Sequence, residues 1–525
     1  MSNISVLDCT LRDGGYVNNW EFGEKNIKEI AERLCDSAIE YLECGFLSET
    51  KSSTEQQSIF QSIQNANEKF SGCSRHIALM VNCGEVNVAD IPAYNSGKVS
   101  LIRIAFHKHQ IEEAQDLCSK LKEKGYRVFF QPMVTMSYSD QELLDLIQWA
   151  NRNEPDAFYI VDSFGTMRKN EVMRFFYLID NNLDPKIKIG FHSHNNLQLS
   201  FSNAQELMMM NSKRDIIIDS SVFGMGRGAG NLCTELLTQY INENIENKYD
   251  LIPILEIMDE YIMPIYSTRP WGYSAPYYIA AINNCHPNYA TFLMNKQTLC
   301  IRDINTIIRS IPEENKRLYS VDLISELYKN YQQHNIDDSE MLQKVKELCS
   351  ARKVLILAPG KSLTTYSDKI RQFIEDNSPV IFAINHIPKK FPYDIVFVSN
   401  LKRFKGLDDA VEKLGEHLIC TSNISTEHAV NYSSYLNEEE IISDNAGLML
   451  INFLKKAAVH DLYLAGFDGF QTSGEENYFD GKMNLNIQYQ KREEMNLAII
   501  RYILKLKQNL NVNFLTPTIY DTGDA

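Results

Sequence analysis

The residues of this chain that could do chemistry gather at the ends of short apolar runs. Ile4 to Leu7 reads as a first strand, and behind it stand Asp8-Cys9-Thr10-Leu11-Arg12-Asp13-Gly14-Gly15-Tyr16. An Arg, an acid and two glycines in four positions suit a strand end that faces a ligand. The acid can hold a metal, the Arg can hold an anion, and the glycines let the backbone come close. A second group is His192-x-His194. Residues two apart on a strand point to the same side, so both imidazoles reach one ion. Two His with one carboxylate, here Asp13, suit a divalent transition metal that keeps positions open for substrate oxygens. Taken alone, either segment is also accounted for by an ordinary polar turn, so the site depends on an architecture that brings them together.

That architecture is legible in the alternation of β-rich and amphipathic helical runs up to about residue 245. Strands are expected at Ile4–Cys9, Tyr41–Phe46, His76–Val81, Val99–Phe106, Arg127–Pro132, Phe158–Asp162, Ile187–His192 and Ile216–Val222. Helical patterns lie between them, as in Glu24–Ala38, Ile111–Lys124, Asp140–Asn151, Lys169–Asn181 and Gln198–Met210. Near-continuous apolar strands are those buried on both faces, and eight β/α units at this length point to a TIM (β/α)8 barrel. An open doubly wound sheet would carry a Gly-rich turn after its first strand, and none is present. Barrel sites lie at the C-terminal strand ends. That places Arg12 and Asp13, Glu43, Arg103 and His107, Ser163, His192 and His194, and the Gly224–Asn231 loop on one rim.

Within that rim, Glu43 is expected to hold a buried Arg12, and Arg12 to stabilise negative charge on a substrate oxygen. Ser163 either binds a substrate carboxylate or is a satisfied loop serine. Asn231 is either the cap of the next helix or a residue beside the ligand. The glycines of 224–230 form either a flexible loop over the site or a tight turn.

The whole chain has 525 residues, more than one core usually serves. Residues 1–245 are read as the catalytic barrel, 246–350 as a mostly helical extension, with the polar stretch Tyr331–Glu347 as the link, and 351–525 as a Rossmann-like α/β domain. In the last region strands are expected at Lys353–Ala358, Val380–Asn385, Asp394–Val398, Leu462–Phe467 and Val512–Thr516, with a helix at Tyr366–Asn377. The net charge of −16 argues against nonspecific binding to nucleic acid or anionic membrane. Eleven scattered cysteines without a C-x-x-C pair are read as reduced thiols of a cytoplasmic protein. No signal peptide and no membrane span are expected.

Leu7–Gly14 resembles the D-x-T-L-R-D-G motif of the metal-dependent aldolases and Claisen-type enzymes called DRE-TIM metallolyases, or HMGL-like proteins. Phe191–Asn196 resembles their H-x-H-x-N element, Gly226–Asn231 their Gly-rich loop, and Glu43 their second-strand glutamate. The resemblance covers about residues 1–300. It implies Mn²⁺ or Mg²⁺ on Asp13, His192 and His194, Arg12 on a pyruvate-type enolate, and Ser163 near the keto-acid carboxylate. Arg103-Ile-Ala-Phe-His107, Trp271-Gly272-Tyr273 and Tyr289–Leu293 are similar to segments of the 4-hydroxy-2-oxoacid aldolases. Two features point away from the acyl-CoA enzymes of the family. Gly15-Tyr16 replaces the Glu-Gln of the synthases, and Met225 stands where the lyases carry Cys. Tyr16 also replaces the aldolases' R-D-G-x-H histidine, so the proton shuttle is open among Tyr16, His107, His286 and Tyr273; an ordinary Tyr pKa of about 10 makes a poor base.

Leu357–Leu363 is similar, more briefly, to the G-x-G-x-S-L turn of bacterial sialyltransferases and pyrophosphokinase-like Rossmann proteins, with Ala358 replacing the first glycine. That likeness implies a nucleotide or nucleotide sugar near Gly360, Ser362, Asn385 and Asp468, the phosphate resting on a helix N-terminus. The expectation is an aldolase joining an α-keto acid and an aldehyde, as a homo-oligomer, in surface-polysaccharide sugar biosynthesis. The alternatives are a Claisen-type acyltransferase, a bifunctional glycosyltransferase or nucleotide-sugar-binding protein, and a noncatalytic metal- and nucleotide-binding scaffold.

Overall fold

Strands whose two faces are both apolar must be covered on both sides, and the first half of the chain does this by closing a sheet on itself. The computed structural model describes residues 3–210, 212–407, 410–471, 477–483 and 489–521. In chain order its strands are β1 (Ile4–Asp8), β2 (Tyr41–Leu47), the two-residue β3 (Ile59–Phe60), β4 (His76–Asn82), β5 (Val99–Phe106), β6 (Arg127–Pro132), β7 (Ala157–Asp162), β8 (Lys188–Ser193) and β9 (Ile216–Ser220). β1 pairs with both β2 and β9, so eight parallel strands close into a barrel, and β3 adds outside β2. This is the TIM barrel expected from the sequence, with strand ends within about two residues of those read there.

Period-two alternation divides each strand's side chains between two cores. One set, such as Val6, Leu42, Ile102 and Ile218, joins helix residues in the outer layer. The other set, Leu7, Tyr41, Leu101, Phe129, Tyr159 and Ile217, forms a separate cluster that plugs the lumen. The outer helices present apolar stripes at the spacing this requires. Helix Glu24–Asp36 buries Ile27, Ile30, Ala31 and Leu34. Helix Asp140–Asn153 is started by a capping box between Ser139 and Glu142.

The chain forms two compact units, one of residues 1–291 and 312–319, the other of residues 292–311 and 320–525. The sequence placed a link in Tyr331–Glu347. The described chain instead changes unit at residues 291/292, and 312–319 returns to the barrel unit. Hydrogen bonding explains the return. The Tyr289 hydroxyl bonds the carbonyls of Asn315 at 3.0 Å and Leu318 at 2.9 Å, and the His286 amide donates to the Lys316 carbonyl at 2.7 Å.

The second unit holds an open, all-parallel sheet made of β10 (Val354–Leu357), β11 (Val380–Ile384), β12 (Ile395–Val398), β13 (Leu418–Thr421), β14 (Ala429–Val430), β15 (Asp461–Ala465) and β16 (Asn511–Phe514). Its order is 14-13-12-11-10-15-16, which reverses direction between β10 and β15. β13 and β14 were not anticipated. They have four and two residues, too short to show a period. No helix among the described residues is long and apolar enough to cross a membrane.

Candidate metal centre and active site

The turn after β1 is built to aim two charged side chains inward. Asp8 accepts from the Thr10 amide at 2.9 Å and from the Thr234 hydroxyl at 2.6 Å, and Thr10 Oγ1 accepts from the Val222 amide at 2.8 Å. Trp20 Nε1 donates to the Arg12 carbonyl at 2.7 Å. Gly14 is required by space, because a Cβ there would lie 2.2 Å from the Thr10 carbonyl oxygen. Asp8 is thus a structural group, its carboxyl raised to about 6 by burial.

Asp13 is 1% exposed and faces His192. His192 Nε2 lies 3.0 Å, and His194 Nε2 3.7 Å, from Asp13 Oδ2. On its other side His192 Nδ1 lies 3.0 Å from Asp219 Oδ2. A carboxylate at Nδ1 fixes the proton there, which leaves the Nε2 lone pair of a neutral ring pointing at Asp13. Two acceptors 3.0 Å apart need a cation between them, either a proton or a metal. Burial disfavours a charged His192, but Asp13 and Asp219 outweigh it and raise its pKa.

For Asp13, burial pushes the carboxyl up, yet Arg12, His194 and His192 hold it well below the carboxylate range. His194, lowered to about 3 chiefly by burial, stays neutral and keeps a lone pair. Both Asp13 oxygens are shielded from solvent; Arg12 Nη1 lies 3.3 Å from Oδ2, an ion pair short of a hydrogen bond. An anionic oxygen donor with two neutral imidazoles fits a divalent cation. Cys9 also offers an atom within 4.8 Å of ligand atoms of Asp13 and His192. Its thiol donates to the Ser220 carbonyl at 3.1 Å, and burial holds the thiol well above its ordinary pKa, so it stays protonated and is the poorer ligand.

Beneath this group lies an ionic layer where barrels usually carry apolar side chains. Arg12 Nε donates to Glu43 Oε2 at 2.7 Å, and the fully buried Arg103 forms an ion pair with the same oxygen at 2.7 Å. Arg103 also pairs with Asp219, which accepts from the Tyr159 hydroxyl at 3.1 Å. Arg12, Glu43, Arg103, Asp219, His192 and Asp13 therefore form one continuous chain of charges. Asp219 was missed in the sequence, although an acid inside Ile216-Ile217-Ile218-Asp219 is anomalous for a strand buried on both faces. We expect Asp219→Asn to weaken Mn²⁺ binding about 10–100-fold, read by calorimetric titration, because the His192 tautomer is no longer fixed.

Other expected residues fall at varied distances from this centre. Ser163 Oγ accepts from the Val134 amide at 2.9 Å, and the Ser163 carbonyl accepts from Arg227. Asn231 does not cap the next helix, a position held by Cys233; its amide donates to the Met225 carbonyl, while its buried Oδ1 has no partner. Tyr16 is 40% exposed, stacks edge-on with Trp20 and lies under the Arg227 guanidinium, 5.4 Å from it. His107 stacks on His109, and burial lowers its pKa. Burial also lowers His286, to about 2. Tyr273 is 57% exposed with its ring against Tyr278, and the structure does not bring it to Asp13.

In the second unit, Gly360, Asn385 and Asp468 line a cavity of about 200 Å³ at the C-terminal edge of the sheet, where its order reverses. The phosphate seat expected at Ser362 differs from what is observed. Asp468 accepts from the Ser362 amide at 2.8 Å and from its hydroxyl, so a carboxylate already occupies that helix start. Asn385 Oδ1 is buried without a partner.

The HMGL-like family model matches residues 3–260, and the second unit lies wholly outside it. A 4-hydroxy-2-oxovalerate aldolase of Geobacillus thermodenitrificans (strain NG80-2) is 25% identical over 267 residues, which are 50% of this chain and 77% of that protein. Another, of Pseudoalteromonas translucida (strain TAC 125), is 30% identical over 174 residues, 33% of this chain and 49% of its own. The crystal structure of the N-terminal domain of a Bacteroides vulgatus protein described as an aldolase is 28% identical and covers 55% of this chain and 96% of that one, at a TM-score of 0.49. Residues 3–260 are therefore an HMGL-like domain, and the chain is an enzyme of the lyase class, of aldolase type.

Proposed function

We propose that the barrel unit is a divalent-metal aldolase that makes or breaks the bond between the methyl carbon of a pyruvate-type α-keto acid and the carbonyl carbon of an aldehyde. The observation that carries this reading is the buried Asp13 carboxylate, whose Oδ2 lies 3.0 Å from His192 Nε2 and 3.7 Å from His194 Nε2. Asp13, His192 and His194 would hold Mn²⁺ or Mg²⁺, which supplies Lewis-acid polarisation of the keto acid's oxygens.

The chain's own residues do the remainder. Glu43 fixes Arg12 through Nε, and Arg12 Nη1 lies 3.3 Å from Asp13, so the guanidinium's remaining N–H groups serve the oxygen on which enolate charge develops. Ser163 and Asn231 orient the keto acid; the unpartnered Asn231 Oδ1 supports a place beside the ligand. As the new carbon–carbon bond forms, the aldehyde oxygen takes a proton; a phenol is protonated near neutrality, and Tyr16, under the Arg227 guanidinium at the barrel mouth, is placed for that role, with His107 beside the same mouth. Tyr16→Phe is expected to cost about 10²-fold in aldol turnover, clearly more than it costs in methyl-proton exchange of pyruvate alone. Equal losses in the two assays would remove Tyr16 from proton transfer.

The function itself is tested by pyruvate release from 4-hydroxy-2-oxo acids in a coupled assay. Release should require Mn²⁺ or Mg²⁺ and stop with a chelator. A metal-loaded protein that instead releases free CoA from acetyl-CoA only when a keto acid is present would establish the Claisen-type acyltransferase. For the second unit we propose a ligand in the cavity beside Gly360, Asn385 and Asp468. At about 200 Å³ the described residues enclose less than the roughly 300–1,000 Å³ of most ligand pockets. That suits a sugar- or base-sized part of a nucleotide sugar better than the whole molecule. A role in surface-polysaccharide sugar synthesis follows only from pairing such a ligand with an aldolase.

A further inference from the structure

The mouth of the barrel holds a positive charge that the ionic layer below does not neutralise. Arg12 and Arg103 both have carboxylate partners. Arg227, in the loop after β9, has none among the described residues. Its Nη2 makes a long bond of 3.5 Å to the Ser163 carbonyl, and its Nε is shielded from solvent with no partner at all. The loop is not free to swing this charge away. The Asn195 amide donates to the Gly230 carbonyl at 2.8 Å, the Ala229 amide to Asn196 Oδ1 at 3.0 Å, and the Gly230 amide to the Arg227 carbonyl at 3.1 Å.

The guanidinium lies over the face of Tyr16, and the groups that feel its charge include His107, His194, His286, Tyr16 and Tyr277. None of these is a carboxylate. A guanidinium stays charged, and holding it partly desolvated without a counter-charge is costly. In a chain of net charge −16, an unpaired cation fixed at the mouth of the site is a seat for an anion.

We propose that Arg227 determines specificity by seating a carboxylate or phosphate group on the aldehyde partner. The inference rests on the aldolase reading above and adds the class of its second substrate.

The test compares aldehydes that differ in that group. With Mn²⁺ and pyruvate, kcat/KM would be measured for 4-oxobutanoate against butanal, and for glyceraldehyde 3-phosphate against glyceraldehyde. The wild-type protein should favour at least one anionic member by about 30-fold or more, and the pair that shows it tells carboxylate from phosphate. Arg227→Gln should bring that ratio to within about threefold of unity, and Arg227→Lys should restore part of it. No preference in the wild type, or a ratio that survives Arg227→Gln, overturns the inference. So does a loss in Arg227→Gln confined to the KM for pyruvate in methyl exchange, which would assign the residue to the keto acid. Absence of exchange in the wild type defeats the enolate reading instead. Calorimetric binding of 4-oxobutanoate and glyceraldehyde 3-phosphate then decides the seat independently. At least one should bind the wild type about 30-fold more tightly than Arg227→Gln, and equal affinities overturn it.

Discussion

Arg103→Met is expected to destabilise the barrel unit by about 3–5 kcal/mol, lowering its calorimetric transition by roughly 10 °C. The methionine fills similar space, so the loss is electrostatic. Arg103 is fully buried, with one Nη 2.7 Å from Glu43, the other on Asp219, and its guanidinium 4.9 Å from the Tyr159 ring. Without it, two carboxylates on β2 and β9 remain buried with one shared cation fewer. Arg12 still holds Glu43, but Asp219 keeps only the Tyr159 hydroxyl and His192. A full replacement, Arg103→Met with Glu43→Gln and Asp219→Asn, should recover much of the stability because no unpaired charge is left. A transition unchanged in Arg103→Met would mean that the ionic layer does not hold the barrel together.

Arg12→Gln has the opposite profile. It should lower keto-acid methyl exchange by about 10²–10³-fold while shifting the thermal transition far less than Arg103→Met does. Arg12 sits at the top of the same layer, and Glu43 keeps Arg103 as its partner when Arg12 is gone. Arg12 is also the cation beside Asp13, where enolate charge would develop. Measuring exchange and melting on both variants separates the arginine that stabilises the barrel from the one that acts on substrate. If Arg12→Gln melted as low as Arg103→Met and lost no more exchange than it did, the proposed division of labour would fail.

The barrel was readable in the sequence for a physical reason. A strand covered by helices outside and side chains inside has no polar face, so its eight apolar runs stand out against the amphipathic helices between them. Asp13, His192 and His194 were legible because each breaks such a run at its C-terminal end. Asp219 breaks its run from within, where an isolated charge is easily read as a strand irregularity; Arg103 was placed on the rim, but its pairing with an acid 116 positions away was not legible. Arg227 drew no reading of its own within the Gly-rich loop, since nothing local shows that a loop cation lacks a partner. Local spacing also failed at Ser362. The glycine turn suits a phosphate, but Asp468, more than a hundred positions later, supplies the anion. The division of the chain was hidden because helices Pro287–Lys296, Ile301–Arg309 and Val321–Gln332 look alike in pattern whichever unit they belong to.

The central claim, enolate chemistry at Asp13, His192, His194 and Arg12, can be measured without knowing the aldehyde. The protein is incubated with pyruvate and Mn²⁺ in D₂O, and the methyl protons are followed by NMR. The account predicts exchange well above the protein-free rate, abolished by a chelator and by Asp13→Asn. Exchange at the background rate, with Mn²⁺ shown to be bound, would contradict it.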